Sequence, residues 1–236
     1  MRAAQDLDGL YLSDIMVAWG HSQGGHAALW EGQIAEEYAP DLDLRGVAAL
    51  APAADPLALA EELTTSDASG LLSIMVSWVL VPYSETYPDV NVDNYAAPAG
   101  QSLVREMTQR CLSEPGVVIS AITSLGVTAD RPLFPVDLTT GALGRRLEAN
   151  AARGPFAMPL LVSWGSRDEV IPPSLQERYV AELCEGESPV QLEWAVYQAA
   201  NHRGVLVPRS PFLPTLMAWT ANSIARGEPR FNDCAR

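Results

Sequence analysis

The residues Ile15-Met16-Val17-Ala18-Trp19 form an unbroken apolar run. It ends on Gly20-His21-Ser22-Gln23-Gly24 and leads into an Ala-, Leu- and Glu-rich stretch from His26 to Tyr38. No other feature constrains the fold of this chain as strongly. A continuous apolar run bounded by glycine suits a strand buried on both faces, the setting of a parallel sheet covered by helices. The stretch after it reads as a helix that stops before Pro40. Between strand and helix, Gly-x-Ser-x-Gly is the pattern of a sharp turn that lifts a serine hydroxyl above the sheet edge. Five-residue matches arise by chance; a match in this strand–turn–helix context is far more specific. Gly20 and Gly24 permit the tight elbow, and the helix N-terminus adds positive potential near the reacting oxygen. The Gln23 backbone N–H is the candidate oxyanion donor.

Further strands are expected at Gly46–Pro52, at Pro159–Trp164 ending in Gly165, and at Val190–Tyr197, where apolar residues alternate. Helical patterns cover Pro173–Cys184 and Phe212–Ile224. Strands alternating with helices indicate an α/β protein with a mainly parallel sheet and helices on both faces. The alternation breaks between Pro56 and Gly154, where helical patterns at Asp67–Val81, Gln101–Leu112 and Pro115–Leu125 are separated by loops such as Val81–Pro88. The organisation is therefore read as a core over 1–55 and 155–236 with a helical insertion over 56–154. Within the insertion, Leu71, Met75 and Trp78 are candidates to line an acyl pocket or a lid face. Apolar stripes at helical spacing are more often the core of their own unit.

Composition excludes several classes. The chain has 236 residues, and its 15 basic and 29 acidic side chains leave a formal charge of −14. Such a surface repels phosphate backbones and anionic lipid, so nucleic acid is not an expected partner. With three scattered cysteines and no Cys-x-x-Cys, no metal site is expected, and no cofactor motif is present. The first residues carry two acids and no long apolar run, so they are not read as a signal peptide. The longest apolar stretch, Leu71–Val81, is well short of the roughly 20 residues that a transmembrane helix needs.

A serine hydroxyl becomes nucleophilic when a base takes its proton. In an α/β-hydrolase the chain order is Ser, acid, His. The chain has His21, His26 and His202. His21 is expected to point away from Ser22 across the elbow, and His26 falls on the following helix. That leaves His202, in a loop after the Val190–Tyr197 strand. The acid belongs in the loop after the preceding strand, where Asp168 is the choice and Glu169 is taken as a neighbour facing another way. Asp55, after the third strand, is a rival. Ser22, Asp168 and His202 are thus the candidate nucleophile, acid and base.

Residues 20–30, 164–172, 201–204 and 226–234 together resemble the secretory lipases, the lipase A-like group of fungi and actinobacteria, with the resemblance running over nearly the whole chain. It implies an α/β-hydrolase fold, a helical cap with a lid, secretion, and hydrolysis of acyl esters including triacylglycerols, with transient contact with a lipid interface. It implies no cofactor. It also implies a disulfide between Cys184 and Cys234, with Cys111 left over; three free thiols are the alternative if the protein stays in a reducing compartment. In that family a long segment precedes the elbow strand and brings the signal peptide, the first sheet strands and a second oxyanion donor. Here the elbow arrives at residue 20. The chain is therefore expected to correspond to the C-terminal part of a longer hydrolase, with a non-catalytic or partner-dependent fragment as one alternative. A peptidase or acyltransferase on the same fold is the other, since a triad does not define the bond cleaved.

Overall fold

Each run read as a strand overlaps one in the computed structural model, which describes residues 2–64, 69–111, 114–127, 132–186, 188, 190–226 and 232–235. A short helix α1 (Arg2–Gln5) precedes β1 (Ile15–His21), α2 (Gln23–Tyr38) and β2 (Asp43–Leu50). Then come α3 (Pro56–Thr64), α4 (Ser69–Thr86), α5 (Gln101–Met107), α6 (Gly116–Val127) and α7 (Gly141–Ala149). The chain closes with β3 (Leu160–Gly165), α8 (Pro173–Glu185), β4 (Leu192–Tyr197) and α9 (Phe212–Ile224).

Some boundaries differ from the sequence expectation. β2 begins before Gly46, because Asp43 and Leu44 pair with Ile15 and Met16 of β1. Helix α4 runs through Pro82 to Thr86 instead of ending at Val81. Leu80 and Val81 are buried in the apolar core around it, and this packing outweighs the hydrogen bond that Pro82 cannot donate. Helices α3 and α7 are nine residues each, and α7 contains two glycines, which hides them from composition.

The four strands are parallel and lie in the order β1-β2-β3-β4. Side chains alternate between the two faces of the sheet. Val47, Ala49, Leu160, Val162 and Trp164 point into one core, where Leu29 of α2 and Tyr179, Val180 and Leu183 of α8 cover them. Ala48, Leu50 and Leu161 point into the other, covered by Phe212, Leu216 and Trp219 of α9. Both faces of β2 and β3 are thus dry, which is why those two strands read as apolar runs without alternation.

The sheet edges are treated differently. At β4 the Trp194 N–H donates to Asp233 Oδ2 at 3.0 Å, and the adjacent Cys234 is disulfide-bonded to Cys184 on α8. That pairing is the one the family resemblance implies. It ties the chain end over an edge that would otherwise present unpaired main chain. Among the described residues, β1 pairs with β2 alone.

The chain divides into two compact units, one of Met1–Asp55 with Ala152–Arg236 and one of Pro56–Ala151. The second is helical and has its own core, which includes Ile74, Leu80, Val104, Met107, Leu143 and Leu147. Among the described residues, no helix is long and apolar enough to cross a membrane.

Candidate active site

The elbow is built from main chain. Ser22 sits between β1 and α2 at φ 57° and ψ −119°, a region that side chains rarely adopt and that persists only where the surroundings impose it. Three hydrogen bonds impose it here. The Ser22 N–H donates to Leu50 O at 2.8 Å, and Ser22 O accepts from His26 N at 3.1 Å and Ala53 N at 3.2 Å. Close approach at the turn explains Gly20: a Cβ there would stand 1.8 Å from Gly24 O. Gly24 is different, since a Cβ on it would meet nothing within 4 Å. The elbow therefore requires Gly24's backbone, not its lack of a side chain. The Gln23 N–H is the first of α2 and has no acceptor inside the helix, as an oxyanion donor requires.

Parallel strands bring the loops after β1, β3 and β4 to one edge of the sheet. Asp168 lies in the loop after β3, its side chain fully shielded from solvent. Asp168 Oδ1 accepts from Val170 N at 2.9 Å and Ile171 N at 2.8 Å. Asp168 Oδ2 stands 2.8 Å, and Oδ1 3.1 Å, from His202 Nδ1, in the loop after β4. This pairing fixes an Nδ1–H on the imidazole and leaves Nε2 with its lone pair, the form a general base needs. The rival acid, Asp55, instead pairs with Arg153 at 2.8 Å. The two loops meet without a side chain between them: a Cβ on Gly165 would stand 2.2 Å from Ala200 O.

Two further residues touch His202 that the sequence reading set aside. His21, expected to point away from Ser22, turns to the loop after β4. Its Nε2–H donates to the His202 carbonyl at 2.9 Å, and the two rings lie 4.6 Å apart, centroid to centroid. Glu169 does not face elsewhere either, because its Oε2 accepts the His202 N–H at 3.2 Å. Partial burial is the main influence on His21, and it lowers the imidazole pKa. Neither contact has a sequence signal beyond adjacency, since both depend on where the loop after β4 travels.

Of the insertion candidates, Trp78 packs against the core of its own helical unit and donates its indole N–H to Met107 O at 3.2 Å. Met75 is half-buried, and the Leu71 side chain lies outside the described residues. Cys111 is free and exposed. Among the described residues, no group of three or more His, Cys, Asp or Glu is arranged to hold a metal ion.

A parallel sheet with helices on both faces, a strained serine turn after one strand, and a buried Asp–His pair at the same edge define an α/β-hydrolase fold. The model of the secretory lipase family matches residues 2–232, and the chain belongs to that family. It is similar to Candida antarctica lipase A in its closed state at 19% identity and a TM-score of 0.69, over 98% of this chain and 54% of that one. It is also similar to the rice cell wall degrading esterase LipA from Xanthomonas oryzae at 16% identity and a TM-score of 0.64, over 95% of this chain and 60% of that one. At these identities the likeness speaks for the fold. A Mycobacterium tuberculosis protein described as a probable inactive lipase is 28% identical over 117 residues, 49% of this chain and 25% of that protein. The chain thus spans little more than half the length of the solved structures it matches, and a quarter of the curated relative.

Proposed function

We propose that this chain carries the catalytic triad of a serine ester hydrolase of the lipase or carboxylesterase kind, with Ser22 as nucleophile, His202 as base and Asp168 as the acid that orients it. Ser22 Oγ attacks the ester carbonyl as His202 Nε2 takes its proton. The Gln23 N–H donates to the oxyanion, and His202 returns the proton to the leaving alcohol. Water, deprotonated by His202, then releases the acid and restores Ser22. The observation that carries this reading is the buried Asp168–His202 hydrogen bond on a loop that His21 joins to the serine turn. Family membership favours acyl esters, triacylglycerols among them, as substrates, and favours secretion and contact with a lipid interface. The resemblance to the secretory lipases favours the part of a cap for the helical unit.

Treatment of the purified chain with a fluorophosphonate tests this. An adduct mapped to Ser22, with p-nitrophenyl butyrate hydrolysis abolished in Ser22→Ala, is the expected result. No adduct, with Ser22→Ala matching wild type, refutes it. Esters, thioesters and amides in parallel separate a lipase or esterase from an acyltransferase or peptidase. A second reading, a chain that needs another polypeptide for activity, is favoured by β1 having β2 as its one strand partner among the described residues. Soluble, monomeric, active protein would rule that out.

A further inference from the structure

We propose that His21 and Glu169 are positioning residues that clamp the main chain of the catalytic base from both sides, His21 through the His202 carbonyl and Glu169 through the His202 N–H. This rests on the reading of His202 as the base. Asp168 orients the imidazole about its own axis, but an oriented ring serves only if its backbone is fixed too. The loop after β4 is anchored early, by Ala199 N to Ser166 Oγ at 2.9 Å and by Arg167 N to Ala200 O at 3.0 Å. Both anchors lie beside β3. The nucleophile lies beyond β1, two strands away in the sheet order, or roughly 10 Å at ordinary strand spacing. The loop must therefore reach across the sheet edge with His202 on it. On the β1 side, the His202 carbonyl accepts from His21 Nε2. His21 also immediately precedes Ser22, so the contact ties the base to the strand end that sets the nucleophile.

The protonation of His21 follows from this place. To donate from Nε2 it is neutral with Nε2–H, or charged. When His202 takes the serine proton it becomes an imidazolium 4.6 Å away, centroid to centroid, and a charged His21 would oppose that step. Burial, His202 and Arg203 lower the His21 pKa, and the hydrogen bond to the His202 carbonyl and the Asp168 carboxylate raise it, with a net lowering. The clamp thus works as a neutral donor, and acid that charges His21 keeps its N–H but sets a positive charge against the imidazolium that His202 must become.

Four variants test the clamp. His21→Phe keeps a ring against His202 without the donor, and His21→Gln keeps an N–H donor that cannot be charged. Glu169→Ala removes the acceptor, and Glu169→Gln keeps one. On p-nitrophenyl butyrate, His21→Phe and Glu169→Ala are expected to lose about 10–100-fold in kcat with KM within about twofold, as a misplaced catalytic group does. His21→Gln and Glu169→Gln recover most of that loss, and His21→Gln also flattens the acid limb of the kcat–pH profile. Amide hydrogen exchange at His202 in the resting protein is read alongside and needs no activity. Protection falls at least tenfold in His21→Phe and Glu169→Ala and returns in the conservative variants. Folded variants with wild-type kcat and wild-type protection overturn the clamp, as does His21→Gln impaired like His21→Phe. If wild type neither turns over nor labels at Ser22 while exchange follows the expected order, the hydrolase reading fails and the clamp stands.

Discussion

Asp168→Asn exchanges one oxygen for an NH2 at nearly constant shape, and the surroundings dictate which way the new amide turns. Asp168 Oδ1 accepts from Val170 N at 2.9 Å and Ile171 N at 2.8 Å, while Oδ2 faces His202 Nδ1 at 2.8 Å. An asparagine that keeps its oxygen at the first position satisfies both backbone donors. The opposite orientation points an NH2 at two N–H groups in a buried site. At about 1–3 kcal/mol for each unsatisfied donor, that orientation is disfavoured by roughly 2–6 kcal/mol. The amide N–H therefore takes the nearer, 2.8 Å position against Nδ1, while the retained oxygen, 3.1 Å from Nδ1, is already occupied by two backbone donors; Nδ1 then accepts and the imidazole proton moves to Nε2. That nitrogen then has no lone pair for the Ser22 proton. In serine hydrolases the equivalent exchange lowers kcat by about 10⁴. Because the backbone bonds survive, stability should fall by only about 1–2 kcal/mol. The assay is p-nitrophenyl butyrate turnover and fluorophosphonate labelling of wild type and Asp168→Asn, with ¹⁵N NMR of the His202 ring read on both. Turnover within tenfold of wild type, or an Nδ1-protonated His202 in the variant, would refute the argument.

Ser22→Gly should abolish labelling yet raise stability by about 1 kcal/mol, because Ser22 holds φ 57° and makes no side-chain cap that glycine would lose. Urea denaturation checks this, and a loss of stability counts against strain at the elbow. Opening the Cys184–Cys234 disulfide, which spans 50 residues, should destabilise by about 4 kcal/mol on a chain-entropy basis. Thermal melts of Cys184→Ser/Cys234→Ser against wild type decide it. His21 has a pKa below its ordinary 6.5 in the fold, so the unfolded chain takes up that proton at higher pH than the folded one. Its contribution is absent above about 6.5 and subtracts stability as pH falls from there through the folded value. His21→Gln should lose less stability over that window, and a wild-type slope in the variant would refute the assignment.

Much of the fold was legible because its causes are local. A strand covered on both faces is apolar at every position, so β2 and β3 stand out as runs, and α9 was readable to its last residue. The elbow was legible because its turn needs Gly20 next to a strand end. Helix α4 was misjudged at Pro82 because burial in its own unit, a non-local term, overrode a local rule. The sequence favoured Asp168 over Asp55 as the candidate acid; in the fold Arg153 pairs with Asp55, and the imidazole of His202 meets Asp168.

The sequence by itself determined the elements, their alternation and the residue types able to do the chemistry, since hydrophobic periodicity and turn preferences act over a few residues. Only the tertiary structure decided that the loop after β4 returns to β1. That path turned His21 from a bystander into a hydrogen-bond partner of His202 and brought Glu169 onto its N–H. The physical reason is range. A hydrogen bond across 181 positions of sequence depends on sheet order and loop path, which no local pattern encodes.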